Sequence, residues 1–573
     1  MKLFKSIKLT MLLCFISIFT LTSCSIIFSD NYTNIKSSKT CLNYDISQND
    51  INEMHKSMDN IDYYVSHDET IRRNTFVANF NYAYETFIKI RRAYTIEYIS
   101  YCMYRGYDNQ ENYLKFEEEI NSFISWLHKN YVNCYNSEYK SIMFEGMTED
   151  EILELVENQK SDKYYELVNE KSKIEAQYSA LNQNERIENG SHYIAEIINI
   201  NKKIVKETEY TDYIDYSYKE EYSRDYDYNI TLDYATYIQR YMFDYASSLS
   251  SEYKTLFDDS KSANNDQYKT YLSFNSSTSS ETKKYIKDYV TYMSGTAYTS
   301  FLNEYNNLKE GKNYFLWEDS NSYQGAFTTL LFDIDGNEGV TSIDPVMYFG
   351  YGYYDPSTIM HEFGHYYHYK QTLSSTSYDL AETHSQANEA LFWRYLLDKS
   401  DLGENAKLYS EHQLLEGIRT IILCSIVNTF EIKAYQKENL TEEDIDTIVD
   451  EVLNEYYTGF DSVFDGTNLD FDRYDSNGVL QMDASSYIKK YIKLVSVTSS
   501  LYYISYSTSF LSTLNIYNEA AQDFDSAKDK YMSLSKESGD LVEALEKVGF
   551  TSPFNEETFK NICNIEENLK NEE

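Results

Sequence analysis

The chain has 573 residues, 42% of them hydrophobic, enough to bury a large core. Lys and Arg number 51 against 92 Asp and Glu, a net charge of −41, which excludes nucleic acid and anionic surfaces held through basic patches and leaves peptides, cations and metals as partners. Only 3 Pro and 18 Gly argue against an all-β sandwich or a Pro-rich linker protein, and 16% aromatic residues, 61 of them Tyr, argue against disorder. A mostly α-helical protein remains.

In chain order, the first segment reads as an address. Lys2, Lys5 and Lys8 form a basic stretch before a short apolar run, Leu9 to Leu21, too short for a membrane span. It ends in Leu21-Thr22-Ser23-Cys24, which resembles the bacterial lipobox. The expectation is a signal peptide over residues 1–23, a lipid on Cys24, and a mature protein anchored on the extracytoplasmic face of the cell membrane. Residues 24–50 are polar, Ser/Asn-rich and aperiodic, and read as a tether. Beyond the signal and the lipid site, Cys41, Cys102, Cys134, Cys424 and Cys563 are odd in number and contain no CxxC pair, so they read as small buried side chains.

From Ile51 to Lys312 apolar and aromatic residues recur at three- and four-residue spacing, with Glu151–Tyr178 and Tyr193–Glu209 as clear helical stretches. We divide the chain into an N-terminal helical region, 51–200, and a catalytic region, 201–573. At Gly325 the texture changes. Ala326–Ile334 and Val340–Tyr348 are β-rich and flank Asp335-Gly336, a hairpin signal. The acids Asp333, Asp335, Asn337 and Glu338 do not form an EF-hand loop, because Glu338 stands where the sixth-position Gly is required. Further on, Leu494 to Asn518 carries no charge but is crowded with Ser, Thr and Tyr; it reads as a helix buried inside the protein and lining something.

The chemistry lies in one window. His361-Glu362-Phe363-Gly364-His365 is an HExxH motif, preceded by the helix-start signal Asp355-Pro356-Ser357. On a helix, residues i and i+4 point the same way, so both imidazoles can share one Zn²⁺ while Glu362 accepts a proton from water. The metzincin spacing needs Gly at 368 and His at 371; the chain has His368 and Gln371. A downstream acid is the other solution. Glu382 and Glu389, seven apart on an expected helix over Tyr378–Leu397, share one face. One can bind metal while the other orients a ligand His, and spacing does not choose between them.

Ala381-Glu382-Thr383-His384-Ser385-Gln386-Ala387-Asn388-Glu389-Ala390-Leu391 resembles the AExxSxxNEAL stretch of the oligoendopeptidase F and thimet oligopeptidase family of zinc metallopeptidases. His361 to His368 resembles its HExGHxxH helix. Gly325-Ala326-Phe327 with Pro345-Val346-Met347-Tyr348 resembles its Gly-Ala-aromatic stretch and the edge strand that pairs with substrate backbone. Tyr531, Leu534, Gly539, Leu545 and Gly549 resemble its C-terminal signature. The resemblance implies a two-lobed helical enzyme enclosing a deep channel for short peptides, with a small sheet beside the motif helix. It implies Glu382 as third ligand to one Zn²⁺ per chain, beside His361 and His365. In that family a His before a Tyr-rich C-terminal stretch helps hold the substrate carbonyl oxygen. Here no His follows His412, and Ser496 falls near its place.

The expected function is therefore a zinc endopeptidase for short peptides, lipid-anchored outside the cytoplasm, with Glu362 as base and Tyr503 and Tyr506, or Tyr502 in reserve, as donors to the oxyanion. Glu389 is the expected orienting acid, His368 a structural residue, His384 a residue on a different face from Glu382, and Gly364 a site of close helix packing. The alternative, favoured by the missing His, is a catalytically weakened surface lipoprotein that captures peptides.

Overall fold

The computed structural model describes residues 42–67, 73–105, 107–157, 160–275, 280–317, 319–320, 322–335, 340–372, 376–460, 463 and 482–563. The signal, Cys24, Cys41 and the turn residues Gly336, Asn337 and Glu338 lie outside them. The fold is mostly helical with one three-stranded sheet in the order β1-β3-β2: β1 is Tyr314–Leu316, β2 Ala326–Asp335 and β3 Val340–Phe349. Among the described residues no helix is long and apolar enough to cross a membrane.

The helical period of the N-terminal half becomes helices Glu149–Glu157, Asp162–Ala180 and Gln183–Ile204, among others. Two boundaries differ from the sequence reading. The folded body starts before residue 51: Tyr44 donates to the Glu97 carboxylate and packs edge-on against Phe116, and the first described helix begins at Gln48. The division at 200/201 falls inside the helix Gln183–Ile204, and one hydrophobic cluster contains residues from Ile51 to Ile562. Buried residues of that helix lie on both sides of the cut, from Ile194 to Ile204.

The hairpin strands match the expected ones within a residue. β2 and β3 pair antiparallel from Ala326↔Phe349 to Asp335↔Val340, and β1, which the sequence reading did not foresee, pairs parallel with β3. Pro345–Tyr348 therefore belongs to the central strand and not to an edge. Leu330 lies opposite Pro345 in a non-hydrogen-bonded pair, because this side of β3 faces β1, where Met347 N–H donates to the Asn313 carbonyl; the Leu330 carbonyl points off the free edge of β2 and accepts from Thr95 at 3.2 Å. The strand bordering the site is β2.

The motif helix, Pro356–Gln371, starts where Asp355 caps it, accepting from Ser357 N and Thr358 N, with Pro356 at the first helical position. It packs against the helix Tyr378–Asp398 at Gly364. A Cβ on Gly364 would lie 2.7 Å from Ser385 Cα and 2.9 Å from the His384 carbonyl oxygen, so only glycine permits this approach.

The uncharged stretch Leu494–Asn518 is buried as expected, but it is not one helix. The helix Ala484–Val495 ends, residues 496–503 turn, and a new helix runs Ile504–Gln522. At the break Leu501 adopts φ 61°, a left-handed conformation that costs a side-chain-bearing residue about 1–2 kcal/mol. Glu431, buried on the helix Lys407–Gln436, accepts Leu501 N–H at 2.8 Å and offsets part of that strain.

Candidate metal centre

Two helices build the centre. His361 and His365 are one turn apart on the motif helix, and Glu382 projects from the helix Tyr378–Asp398. Glu382 Oε2 lies 3.4 Å from His361 Nε2 and 3.5 Å from His365 Nε2. One donor atom from each of the three residues lies within 4.8 Å of the others. A tetrahedral zinc ion with bonds of about 2.0–2.1 Å separates its donors by about 3.3 Å, so the spacing fits such an ion. The donor set fits too: two imidazole nitrogens and a carboxylate are a zinc site that keeps a position open. Burial works to raise the Glu382 carboxyl, but His365 and His361 outweigh it and hold the group well below the usual carboxylate range. The acid is charged where a cation would sit.

Surrounding contacts orient two of the three, His361 and Glu382. His361 Nδ1 lies 2.5 Å from Glu389 Oε1, which turns Nε2 toward Glu382. Glu389 Oε2 accepts from Ser357 at 3.0 Å, and Trp393 Nε1 donates to that same hydroxyl at 2.8 Å. Glu389 thus contacts the far nitrogen of His361 while Glu382 converges on both imidazoles, a distinction sequence spacing left open. Asn388 ties the helices by donating to the Met360 carbonyl at 2.7 Å. Tyr502 donates to Glu382 Oε1 at 2.5 Å. Tyr502 is therefore corrected from reserve oxyanion donor to holder of an acid, because its phenol is spent on Glu382.

Glu362 turns to the other side of the pair. Thr328 of β2 donates to Glu362 Oε2 at 2.7 Å, a contact the sequence did not announce, since one of two neighbouring Thr in a β-rich run reads as strand packing. Burial pushes the Glu362 carboxyl up, while His361, His365 and the Thr328 hydroxyl pull it down; the net direction is upward. A cavity of about 280 Å³ opens here, lined by His361, Glu362, Ala326, Tyr503 and Tyr506 among others. The structure thus brings both expected tyrosines into the cavity that Glu362 lines, with their ring centroids 5.7 Å apart. It adds Tyr491 and Phe510, which nothing in the sequence singled out, and Gln386, an unspecified position of the AExxSxxNEAL stretch. Ser496 is buried and does not line the cavity.

His368 and His384 stand apart from the metal site. They stack at 3.9 Å, both buried, with His368 Nδ1 3.0 Å from the Ser535 carbonyl and His384 Nε2 2.8 Å from that of Leu534. Burial lowers both imidazoles, His368 to about 4. They are neutral structural groups that join the two helices to the C-terminal segment.

A buried charge pair holds the tyrosine segment. Arg224 Nε meets Asp379 Oδ1 at 3.2 Å with both side chains fully buried. Asp379 also accepts from Tyr226, Ser505 and Thr508, and Arg224 reaches the Tyr502 carbonyl at 3.3 Å. The residue that starts this network is one turn before Glu382, so the same helix positions a ligand and the segment opposite it.

No protein-family model and no curated protein matches the chain. Solved structures do. The chain is similar to PZ peptidase A, solved with an inhibitor, at 12% identity and a TM-score of 0.60, over 93% of this chain and 98% of that one. It is similar to a Bacillus anthracis strain Ames protein assigned as oligoendopeptidase F, at 14% identity and a TM-score of 0.62, over 93% and 98%. A further structure assigned as oligoendopeptidase F gives 11% identity and a TM-score of 0.64, over 92% and 98%. The likeness spans nearly the whole of each chain: the fold is the helical oligoendopeptidase F type.

Two outcomes follow from these contacts. Tyr502→Phe leaves Glu382 Oε1 without its donor, and zinc affinity should fall roughly 10–100-fold with the fold kept, as read by competition with a chromophoric chelator. Glu431 is the second case. Burial pushes its carboxyl from 4.5 up to about 8, so the folded chain holds a proton that the unfolded chain has released. The protonated form's contribution is complete below pH 4.5 and is lost as pH rises through 8. Glu431→Gln, which keeps an acceptor for Leu501 N–H, should match the wild-type melting temperature near pH 5 and exceed it near pH 8.5; equal melting curves at both pH values would contradict this.

Proposed function

We propose that this chain is a zinc-dependent endopeptidase that hydrolyses short peptides. The observation that carries the reading is the convergence of Glu382 Oε2 on both motif imidazoles beside a cavity that also exposes Glu362. The oligoendopeptidase-type fold supports it. His361, His365 and Glu382 would hold the Zn²⁺, which when bound supplies Lewis acidity toward a peptide carbonyl.

The chain's own residues do the rest. Thr328 holds one oxygen of Glu362, leaving the carboxylate placed to take the proton of the attacking water and pass it to the leaving amine. Its upward shift brings it nearer to the range in which it can both accept and return a proton. Tyr503 and Tyr506 are the phenols placed to meet charge growing on the carbonyl oxygen. The substrate backbone pairs along β2, where Ala326 lines the cavity and the carbonyls of Leu330 and Phe332 further along are already taken by Thr95 and Arg92. That contact length suits a short segment of peptide.

Glu362→Gln should keep zinc and the melting temperature while turnover of a quenched fluorogenic peptide drops by roughly 10²–10⁴-fold. Tyr503→Phe or Tyr506→Phe should lower turnover about 10²–10³-fold with zinc content unchanged. Wild-type turnover in Glu362→Gln would overturn the mechanism. Zinc loading without turnover of any peptide by the wild-type chain would leave the peptide-capture reading.

The proposed location is the extracytoplasmic face of the membrane, held through lipid on Cys24. The basic, apolar and Leu21-Thr22-Ser23-Cys24 segments support this. Cell fractionation tests it: the wild-type chain should sediment with membranes in lipidated form, and Cys24→Ala should lose the lipid mass.

A further inference from the structure

The motif helix has a second face. Thr358, His361 and Glu362 line the catalytic cavity, whereas Ile359 and Phe363 line a different cavity of about 550 Å³ that shares no lining residue with the first. This volume lies within the range of small-molecule sites, roughly 300–1,000 Å³.

Its walls follow from the register. Tyr314 and Leu316 alternate onto one face of β1, and their parallel partners Met347 and Phe349 stand beside them on β3. Ile359 and Phe363, four apart, close the apolar wall from the motif helix. At the rim the chemistry changes. Lys283 and Lys287, one turn apart on the helix Ser280–Ser294, are both exposed and both line the cavity. Among the described residues neither forms an ion pair, although their neighbour Lys284 pairs with Asp288 and Asp401. In a chain of net charge −41, two cations that form no ion pair among the described residues, at the mouth of a cavity with mixed polar and apolar walls, are an anion-selective feature. The one acid in the lining is Glu310, which disfavours a second negative charge on the ligand.

We infer that this cavity binds a small apolar molecule ending in a single carboxylate, with its aliphatic or aromatic body against the partly exposed Tyr314, Leu316 and Ile359 and its carboxylate between Lys283 and Lys287. A fatty acid and the C-terminal end of an apolar peptide share that chemistry. The site lies behind the catalytic helix, and its existence does not depend on the proposed peptidase activity.

Isothermal titration of the zinc-loaded full chain with decanoate tests it, with decanol as the uncharged equivalent, Leu-Leu as the peptide carboxylate, and Lys283→Ala/Lys287→Ala as the variant. The expected result is saturable binding of one decanoate per chain, weakened roughly tenfold or more both in decanol and in the double variant. Both lysines are exposed, so the variant should fold, melt and hydrolyse peptide like the wild type. Tighter binding of Leu-Leu than decanoate, lost in the same variant, would support the site and assign it to peptide ends. No binding of either carboxylate at millimolar concentration, or equal affinity for decanoate and decanol, or equal binding by the double variant, would overturn the proposal.

Discussion

Everything in the centre depends on how closely two helices approach. Imidazoles and a carboxylate on different helices reach a common point only if the backbones nearly touch, and here they do so at Gly364, where a Cβ would stand 2.7 Å from Ser385 Cα. The small residue does no chemistry. It sets the separation at which Glu382 meets both His361 and His365, and Asn388 fixes the offset along the helices through the Met360 carbonyl. A methyl group at that contact would push the helices apart by a few tenths of an ångström or more, as far as metal–ligand bonds can vary.

Charge is the second constraint. Glu362 and Glu382 are buried, and Glu389 joins them at His361, so three carboxylates crowd around two imidazoles. Each has a donor of its own: Thr328 for Glu362, Tyr502 for Glu382, Ser357 for Glu389. Neutral donors satisfy lone pairs but do not cancel charge, and buried like charges repel strongly in a medium of low effective dielectric. A divalent cation between the imidazoles and Glu382 would remove that repulsion, which is the electrostatic argument for a metal in addition to the spacing.

How much of this could be read in the sequence depends on whether a feature is local. The motif helix was legible because its cap, its proline and its i, i+4 histidines all lie within Asp355–His365. The hairpin was legible from composition on either side of Asp335. Glu382 and Glu389 were not separable by spacing, since residues seven apart share a face; their different contacts, Glu389 with His361 Nδ1 and Glu382 with both Nε2 atoms, separate them. Thr328, Tyr491 and the Tyr502–Glu382 contact were illegible because they join residues distant in sequence, up to 120 apart, and because one Tyr among 61 carries no mark. The broken stretch Leu494–Asn518 failed for another reason. Its composition is right for a buried helix, and the break is imposed from outside by Glu431 and Arg224.

That break is best understood as what the tyrosines require. In one continuous helix Tyr502, Tyr503 and Tyr506 would follow fixed 100° steps, and Tyr502 could reach Glu382 only by carrying its neighbours along the same rotation. Leaving the helix at Val495 and re-entering at Ile504 frees the segment from that rule. Tyr502 turns to Glu382 while Tyr503 and Tyr506 face the cavity beside Glu362. The left-handed Leu501 and the buried Arg224–Asp379 pair are costs of holding such a turn, since buried ion pairs seldom add net stability over apolar packing. They fix one conformation. Three phenols within five residues are thereby split between holding Glu382 and facing Glu362, a division that an unbroken helix would not permit.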